Sequence, residues 1–478
     1  MKIFNKIILF LILISSVVYN QKKMNVVFIL TDDLGWKDLS CQGSEVYETP
    51  NIDKLAESGM KFQQAYTAHP RCTPARYAFM TGRYPARVHL PGNWKWDGTE
   101  YTFAQAFHDA GYKTFFAGKW HIAKGEVYPQ DVGFDVNIAG GHAGAPQSYF
   151  YPYNVKSKGK GNKKDIKGLE DGKPGEYLPD RLTDETIGFI KANKDKPFFV
   201  YLSHYSVHTP FEAKEKYVKY YREKIKNIKF EGEEFISEGT GYTKCWQNNP
   251  VYAAMIQSLD ESVGKILKTL AEFGLSENTI VVFTSDHGGL SNKGYNYRPL
   301  ATSNLPLRAG KGHCYEGGLR IPLIIRWPGV TEAGSESYYP VVGVDFYPTL
   351  VEAAGIKIKY QTEIDGVSFV PAIKGGAEDD KSRTMFWHSP LARPYSTGDI
   401  NVTVVRQGDY KLLDFYDARI KELYNIPEDT GEHHNLINEE PEIAERLYEE
   451  IVNWRKDVNA YFDKNKIREE QKNKKGKK

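Results

Sequence analysis

The sequence predicts an α/β protein with a mainly parallel central sheet flanked by helices, followed by a small C-terminal α+β subdomain. Three observations predict it. Continuous apolar, β-prone runs alternate with helical stretches, as expected of strands buried on both faces. Successive runs end in polar clusters, and in such sheets ligands gather at the carboxyl ends of the strands. After about residue 375 the texture changes to a hairpin and an amphipathic helix.

The elements follow in order. Lys2 and Lys6 precede an apolar run from Ile7 to Leu13 that extends through Val18. That charged-then-apolar order, too short to span a bilayer comfortably, predicts a secretory signal over residues 1–20. Cleavage is expected near Tyr19 to Gln21, although no A-x-A site is present. No cysteine follows the run to carry a lipid anchor, and no later segment is long and apolar enough to span a membrane. The mature protein is therefore expected to be periplasmic or secreted.

Residues 21–375 form the expected main domain. "MNVVFILTDDLGW" is a buried strand, Val26 to Leu30, ending in two acids and a glycine turn. "YKTFFAGKWH", "KPFFVYLSHYSVHTP" and "NTIVVFTSDHGG" repeat that design, and "RIPLIIRWPG" is a fifth strand. Helices are predicted at 51–58, 103–110, 184–193 and 253–273. Residues 154–176 are rich in Lys and Gly without periodicity, an insertion loop that is either a solvated surface or a basic lip for an anionic polymer. Residues 376–478 form the C-terminal subdomain, with a hairpin turning at Gly408-Asp409, the helix "PEIAERLYEEIVNWRKDV" and a frayed charged tail. No internal repeat is present.

Composition narrows the function classes. Lys plus Arg number 63 against 61 acidic residues, a net charge of +2, which argues against a nucleic-acid binder. The 32 tyrosines and 8 tryptophans suit carbohydrate stacking, though most aromatics in a large domain are structural. Four cysteines, Cys41, Cys72, Cys245 and Cys314, are too few for a disulfide scaffold. In an exported chain their number alone predicts at least one bridge. No C-x-x-C pair is present.

The polar clusters carry the chemistry. Asp32-Asp33 and Asp286-His287 each follow an apolar strand, and adjacent carboxylates repel unless a cation sits between them. Three carboxylates and one imidazole make an oxygen-rich set suited to a hard divalent ion, calcium in preference to zinc. Lys119 and His121 lie in "GKWH", where strand alternation would put both side chains on one face. His208 follows another strand, and Lys311 sits in the glycine-rich "RAGKGHCYEGGLRIP". With Arg76, these cations near a metal describe a site for a tetrahedral oxyanion. Cys72 stands directly before Thr73-Pro74, so it faces the open end of a helix whose unpaired N–H groups attract anions. Thr73 is expected to cap that helix, with Pro74 in its first turn.

"CTPARYAFMTGRYP" resembles the signature of the type I, formylglycine-dependent sulfatases of the alkaline-phosphatase-like superfamily, C-x-P-x-R followed by T-G. "TDDLGWKDLSCQGS", "GKWH", "SVHTP", "SDHGG" and "GKGHCYEGGLRIP" match the family in order, and "RQGDYKLLDFY…ELYNIPEDTGEHHNL" also looks familial, so the resemblance covers nearly the whole mature chain. The family's usual serine before the arginine is Ala75 here, and the family often has Asn where His287 stands. The resemblance implies that Cys72 is converted to formylglycine by a formylglycine-generating enzyme and is not a half-cystine. It implies one calcium ion held by Asp32, Asp33, Asp286, His287 and residue 72. In the implied mechanism one hydroxyl of the aldehyde hydrate, activated by the metal and Arg76, attacks sulfur. Lys119, Lys311 and the metal stabilise the sulfuryl oxygens, and His208 protonates the leaving alcohol. His121 deprotonates the second hydroxyl to expel sulfate.

The substrate implied is a sulfated oligosaccharide, with ulvan and carrageenan fragments ahead of glycosaminoglycans. Residues expected to shape its pocket are Trp94, Trp96, His142 and Ser148 in "GGHAGAPQSYFYPY", Arg298 and His388. Two other readings remain at this stage: a non-catalytic sulfated-carbohydrate-binding relative, and a phosphate or phosphonate ester hydrolase of the same superfamily.

Overall fold

The computed structural model describes residues 23–89, 96–122, 127–154, 166–295, 299–358, 363–376 and 382–462. The expected signal peptide, the C-terminal tail, residues 155–165 of the 154–176 loop, Trp94 and Arg298 lie outside the described residues.

An eight-stranded sheet organises the body, in the order Ser335–Ser337, Met60–Phe62, Leu323–Arg326, Thr279–Ser285, Asn25–Thr31, Phe198–Ser203, Lys113–Gly118, Val136–Ile138. The strand Asn25–Thr31 lies at its centre, parallel to both neighbours, with Leu30 opposite Thr284 on one side and Ser203 on the other. Four of the five strands read from the sequence run parallel. The fifth, Leu323–Arg326, is antiparallel to both of its neighbours. Its amino end, not its carboxyl end, therefore lies at the edge where the other strands finish.

Period-two alternation divides each apolar run between two cores. Val27, Ile29, Val200, Leu202, Val281 and Phe283 face one side, where the helices Leu178–Ala192 and Pro250–Glu272 cover them. Val26, Phe28, Phe199, Tyr201, Ile280 and Val282 face the other, packed by Phe103–Asp109 and Phe346–Ala353. Local signals start the covering helices. Asn249 accepts from the N–H groups of Val251 and Tyr252, and Thr102 with Gln105 forms a capping box.

Beyond the body, four antiparallel strands, Thr384–Ser389, Val402–Gln407, Tyr410–Phe415 and Ile420–Asn425, form a second sheet. Gln407 pairs with Tyr410, leaving Gly408-Asp409 as the two-residue turn expected from the sequence. The helix Pro441–Asp457 packs on this sheet through Leu447 and Ile451. Trp387, Val402, Val404 and Leu413 face the body, against Tyr66, Ala78 and Val342.

The disulfide expectation is corrected: all four cysteines are free. Cys41 lies beside Asp53, Cys245 points its sulfur at the Thr243 carbonyl, and Cys314 is buried in the seam between body and second sheet. A cysteine count carries no information on separation. Among the described residues no helix is long and apolar enough to cross a membrane.

Candidate active site

The carboxyl edge of the large sheet gathers the predicted residues. Asp32, Asp33, Cys72 and His287 each offer a ligand atom, and these atoms lie within 4.8 Å of one another, all buried. Asp32 and Asp33 follow the central strand and Asp286-His287 the neighbouring one, so strand pairing brings together residues about 250 positions apart. Asp33 takes a positive φ of 64° and donates its N–H to Asp286 Oδ1 at 3.2 Å. Asp286 also stands 3.5 Å from His287 Nε2, while its other oxygen is held by Arg76 at 3.0 Å.

Cys72 begins the helix Cys72–Thr81, at the positive end of its dipole. Arg71, not Thr73, is the N-cap, and no side chain caps the helix. Pro74 falls third in the helix, where its missing N–H would still be unpaired. The Cys72 sulfur sits 3.2 Å from His287 Nε2, 3.6 Å from Asp32 Oδ1 and 3.7 Å from Lys311 Nζ. Burial alone would raise its thiol, but Lys119, Lys311 and His287, with a hydrogen bond to His121, hold it well below the ordinary value. The site thus stabilises negative charge at position 72.

Each lysine has its own carboxylate. Lys119 Nζ binds Asp32 at 2.6 Å, and Lys311 Nζ binds Asp33. Burial raises Asp32 well above the carboxylate range, with Asp286, Cys72 and Asp33 adding to the rise against Lys119. For Asp33 burial works in the same direction, but Lys311, His208 and His287 outweigh it and lower the carboxyl. Arg76 lies one helical turn from Cys72 and serves as a strut: it holds Asp286, the Lys119 carbonyl at 2.9 Å and Ser203 Oγ at 2.6 Å.

The histidines are arranged differently. Strand alternation does not place Lys119 and His121, because the strand ends at Gly118. Instead His121 has a φ of 44° and donates its N–H to the Gly141 carbonyl. Its ring contacts Cys72 and packs on Gly144, where a Cβ would come within 2.7 Å of Cε1. Burial lowers its basicity. His208 Nδ1 lies 2.7 Å from the Thr209 carbonyl, so that nitrogen carries the proton and Nε2 is left facing Asp33 Oδ2 at 3.9 Å. Burial, followed by Lys311, pushes His208 down to about 3. His287 Nδ1 similarly lies 3.1 Å from the Gly288 carbonyl, which turns the Nε2 lone pair toward the carboxylates.

A divalent cation fits this donor set. Asp33 Oδ2 is buried without a hydrogen-bond partner, the carboxylates converge, and a carbonyl orients the imidazole, as metal-bound histidines require. Residue 72 is the fourth member of the cluster.

Comparison with known proteins places the chain in a family. A family model described as sulfatase matches residues 24–356, and the C-terminal model of N-sulphoglucosamine sulphohydrolase matches residues 310–457. The chain belongs to the sulfatase family. A relative named sulfatase, from Formosa agariphila, is 32% identical, the match covering 92% of this chain and 90% of that one. An N-acetylgalactosamine-6-O-sulfatase from Bacteroides thetaiotaomicron is 27% identical, with 90% and 93% covered. The crystal structure of Ps i-CgsB in complex with k-i-k-neocarrahexaose is 30% identical, with a TM-score of 0.74 and 91% and 93% coverage. This sulfatase therefore has the alkaline-phosphatase-like fold with a C-terminal antiparallel sheet.

Three of the expected pocket residues are held by partners within the fold. Trp96 is buried against Tyr77 and Trp120, His388 bonds Thr403 Oγ1 and the Tyr461 carbonyl, and Ser148 donates to Glu212. His142 is half-buried against Tyr128, with both ring nitrogens unpartnered. Sequence reasoning missed Ser203, the Arg76 strut, whose only signal was its place at the end of a buried strand. It also missed Asp399, which pairs with Arg71 beside Cys72 and carried no local signal.

Proposed function

We propose that this sulfatase hydrolyses sulfate esters of carbohydrates, an algal polysaccharide fragment such as a carrageenan or ulvan oligosaccharide in preference to a glycosaminoglycan. The observation that carries the reading is the seat of residue 72: a helix N-terminus, two lysines and a convergent carboxylate–imidazole cluster around one buried atom. Likeness along nearly the whole length to Ps i-CgsB, whose crystal structure holds k-i-k-neocarrahexaose, supports the substrate class.

Asp32, Asp33, Asp286 and His287, with residue 72, would hold one calcium ion, which supplies Lewis-acid polarisation of the sulfuryl oxygens. Formylglycine, made from Cys72 by a formylglycine-generating enzyme, supplies as its hydrate two hydroxyls on one carbon. Lys311 and Lys119 lie where charge on sulfuryl oxygens would develop, held in place by Asp33 and Asp32. Arg76 keeps Asp286 aligned. His208 has its Nδ1 proton committed to a carbonyl, so Nε2 is the nitrogen that faces the site; once protonated beside the anionic ester, whose charge favours the imidazolium, it would pass that proton to the departing alcohol. His121 touches residue 72 and is placed to take a proton from it. The charged-then-apolar first twenty residues support export to the periplasm or beyond.

Two measurements test the proposal. Mass spectrometry of the peptide containing residue 72, purified from the native host, should show the aldehyde. An unmodified thiol would favour the non-catalytic relative. Sulfate release from a panel of sulfated oligosaccharides should exceed phosphate release from the matching phosphate esters, and the reverse ranking would favour the phosphoester reading.

A further inference from the structure

The strands Phe235–Glu238, Gly241–Lys244 and Asn292–Lys293 form a small antiparallel sheet apart from the catalytic edge. Its register pairs Phe235 with Lys244, Ser237 with Tyr242, and Tyr242 with Lys293. Directly paired residues share a face, as do alternate residues along a strand. One face therefore carries Phe235, Ser237, Tyr242, Lys244 and Lys293. Phe235 is 38% exposed and Tyr242 51%. The ammonium groups of Lys293 and Lys244 stand 5.1 Å and 5.8 Å from the Phe235 ring centroid.

A second exposed pair adjoins it. Tyr295, 70% exposed, and Tyr395, 64% exposed, bring their ring centroids to 5.6 Å. Single exposed aromatics need no explanation, but four within one lobe, beside the half-buried Lys293, are an exposed patch of defined chemistry; Lys244 is buried and paired with Glu234.

This lobe is fastened to the catalytic machinery. Gly294 donates its N–H to the Ser396 carbonyl, and Thr240 donates to the carbonyls of Pro394 and Gly398. The 393–399 segment then reaches the site at two points. Thr397 packs against Gly312, next to Lys311, and its carbonyl lies 2.9 Å from His313 Nε2. Asp399 pairs with Arg71, immediately before the nucleophile position. Tyr395 thus lies on a segment braced against the residues flanking both Lys311 and Cys72.

We propose that Phe235, Tyr242, Lys293, Tyr295 and Tyr395 form a platform for the unreacting part of an anionic glycan, the sugars beyond the one whose ester is cleaved. The inference rests on the carbohydrate reading above and adds the surface that holds the chain beyond the reacting sugar. Tyrosine and phenylalanine rings offer flat apolar faces to the C–H faces of pyranoses, and their rigidity makes them cheap to order on binding. Lys293 supplies charge complementary to sulfate groups along the chain.

The test measures binding in the Cys72→Ser background, so that no ester is cleaved, with hexasaccharides and disaccharides of carrageenan, ulvan and chondroitin sulfate as probes. Tyr295→Ala/Tyr395→Ala, Phe235→Ala/Tyr242→Ala and Lys293→Gln are each expected to weaken the best-bound sulfated hexasaccharide about tenfold, about what one or two stacking contacts provide. The matching disaccharide, which offers no sugars beyond the reacting one and its neighbour, should lose less than twofold. Equal losses on both lengths, no loss on either, or no binding of any sulfated hexasaccharide would overturn the platform. So would a dimer in solution that the aromatic variants convert to monomers. Sulfate release by the wild-type protein is read separately: platform-dependent binding without release from any saccharide would overturn the carbohydrate-sulfatase reading and not the platform.

Discussion

Two clusters of buried charge among the described residues differ in how completely their hydrogen bonding is satisfied. At the catalytic edge Asp32, Asp33 and Asp286 face Lys119, Lys311 and Arg76. In the seam between body and second sheet Lys411 lies between Glu316 and Glu432, at 3.0 Å and 2.8 Å, while Arg320 and Tyr66 bind the other Glu316 oxygen. Both clusters are buried and both balance their charges. The seam closes on itself: the second Glu432 oxygen accepts the Glu316 N–H, and none of its carboxylate oxygens is left without a partner. The catalytic cluster leaves Asp33 Oδ2 and His121 Nδ1 unpartnered. Unspent hydrogen-bonding capacity at a strand edge, more than burial or charge, marks the place built to receive something else.

The largest effect that would break this contrast is loss of the nucleophile. Cys72→Ser is expected to fold normally and lose at least about a thousandfold in turnover, because serine can take a sulfuryl group but has no second hydroxyl to expel it. Turnover within tenfold of wild type would sink the proposed chemistry. Metal removal comes next. Chelation should abolish activity and calcium restore it, while the melting temperature falls on chelation as expected when a ligand of the folded state is lost. Restoration by two zinc ions per chain, and not by calcium, would move the protein to the phosphatase side.

The lysines sharpen the comparison directly. Lys411→Met strands two buried carboxylates and should cost about 3–5 kcal/mol of stability, with kcat of the folded protein kept. Lys311→Met should do the reverse, lowering kcat/KM about a hundredfold with a smaller loss in melting temperature. The same loss of stability from both variants would erase the distinction drawn here.

The two histidines differ by step. His208→Ala should slow sugar sulfates far more than nitrophenyl sulfate, whose leaving group departs unaided. His121→Ala should release one burst of alcohol and then stall, with the intact protein heavier by a sulfuryl group. If the His208 variant stalls and the His121 variant does not, the assignments are exchanged.

The smallest effect concerns pH. Burial pushes Glu432 up to about 7, opposed by Lys411 and reinforced by Glu316. An acid whose folded pKa lies above its unfolded value holds its proton longer in the folded state. Its stabilising contribution is therefore lost as pH rises from the ordinary glutamate range toward 7. The melting temperature of wild type should fall by a few degrees across that window relative to Glu432→Gln. Parallel curves would show that the seam does not titrate there.

Much of this was legible in the sequence because the signals are local. An apolar run ending in Asp-Asp or Asp-His gives strand and site together, and Cys72 before Thr73-Pro74 gives a helix start. The catalytic residues named from sequence all lie at one sheet edge. Other features are questions of distance between remote segments. Trp96, His388 and Ser148 stand out as letters, but their surroundings come from partners such as Tyr461 and Glu212, which no local pattern specifies.

By itself the sequence determined which strands are buried, where polar residues accumulate and which cysteine stands at a helix start, since period and spacing are properties of neighbours. Only the tertiary structure decided that the fifth strand runs antiparallel, that the four thiols stay apart, and that Lys119 serves Asp32 while Lys311 serves Asp33. Asp33 and Lys311 are 278 residues apart. Their pairing follows from the packing of both cores against the sheet, and no short stretch of chain contains that information.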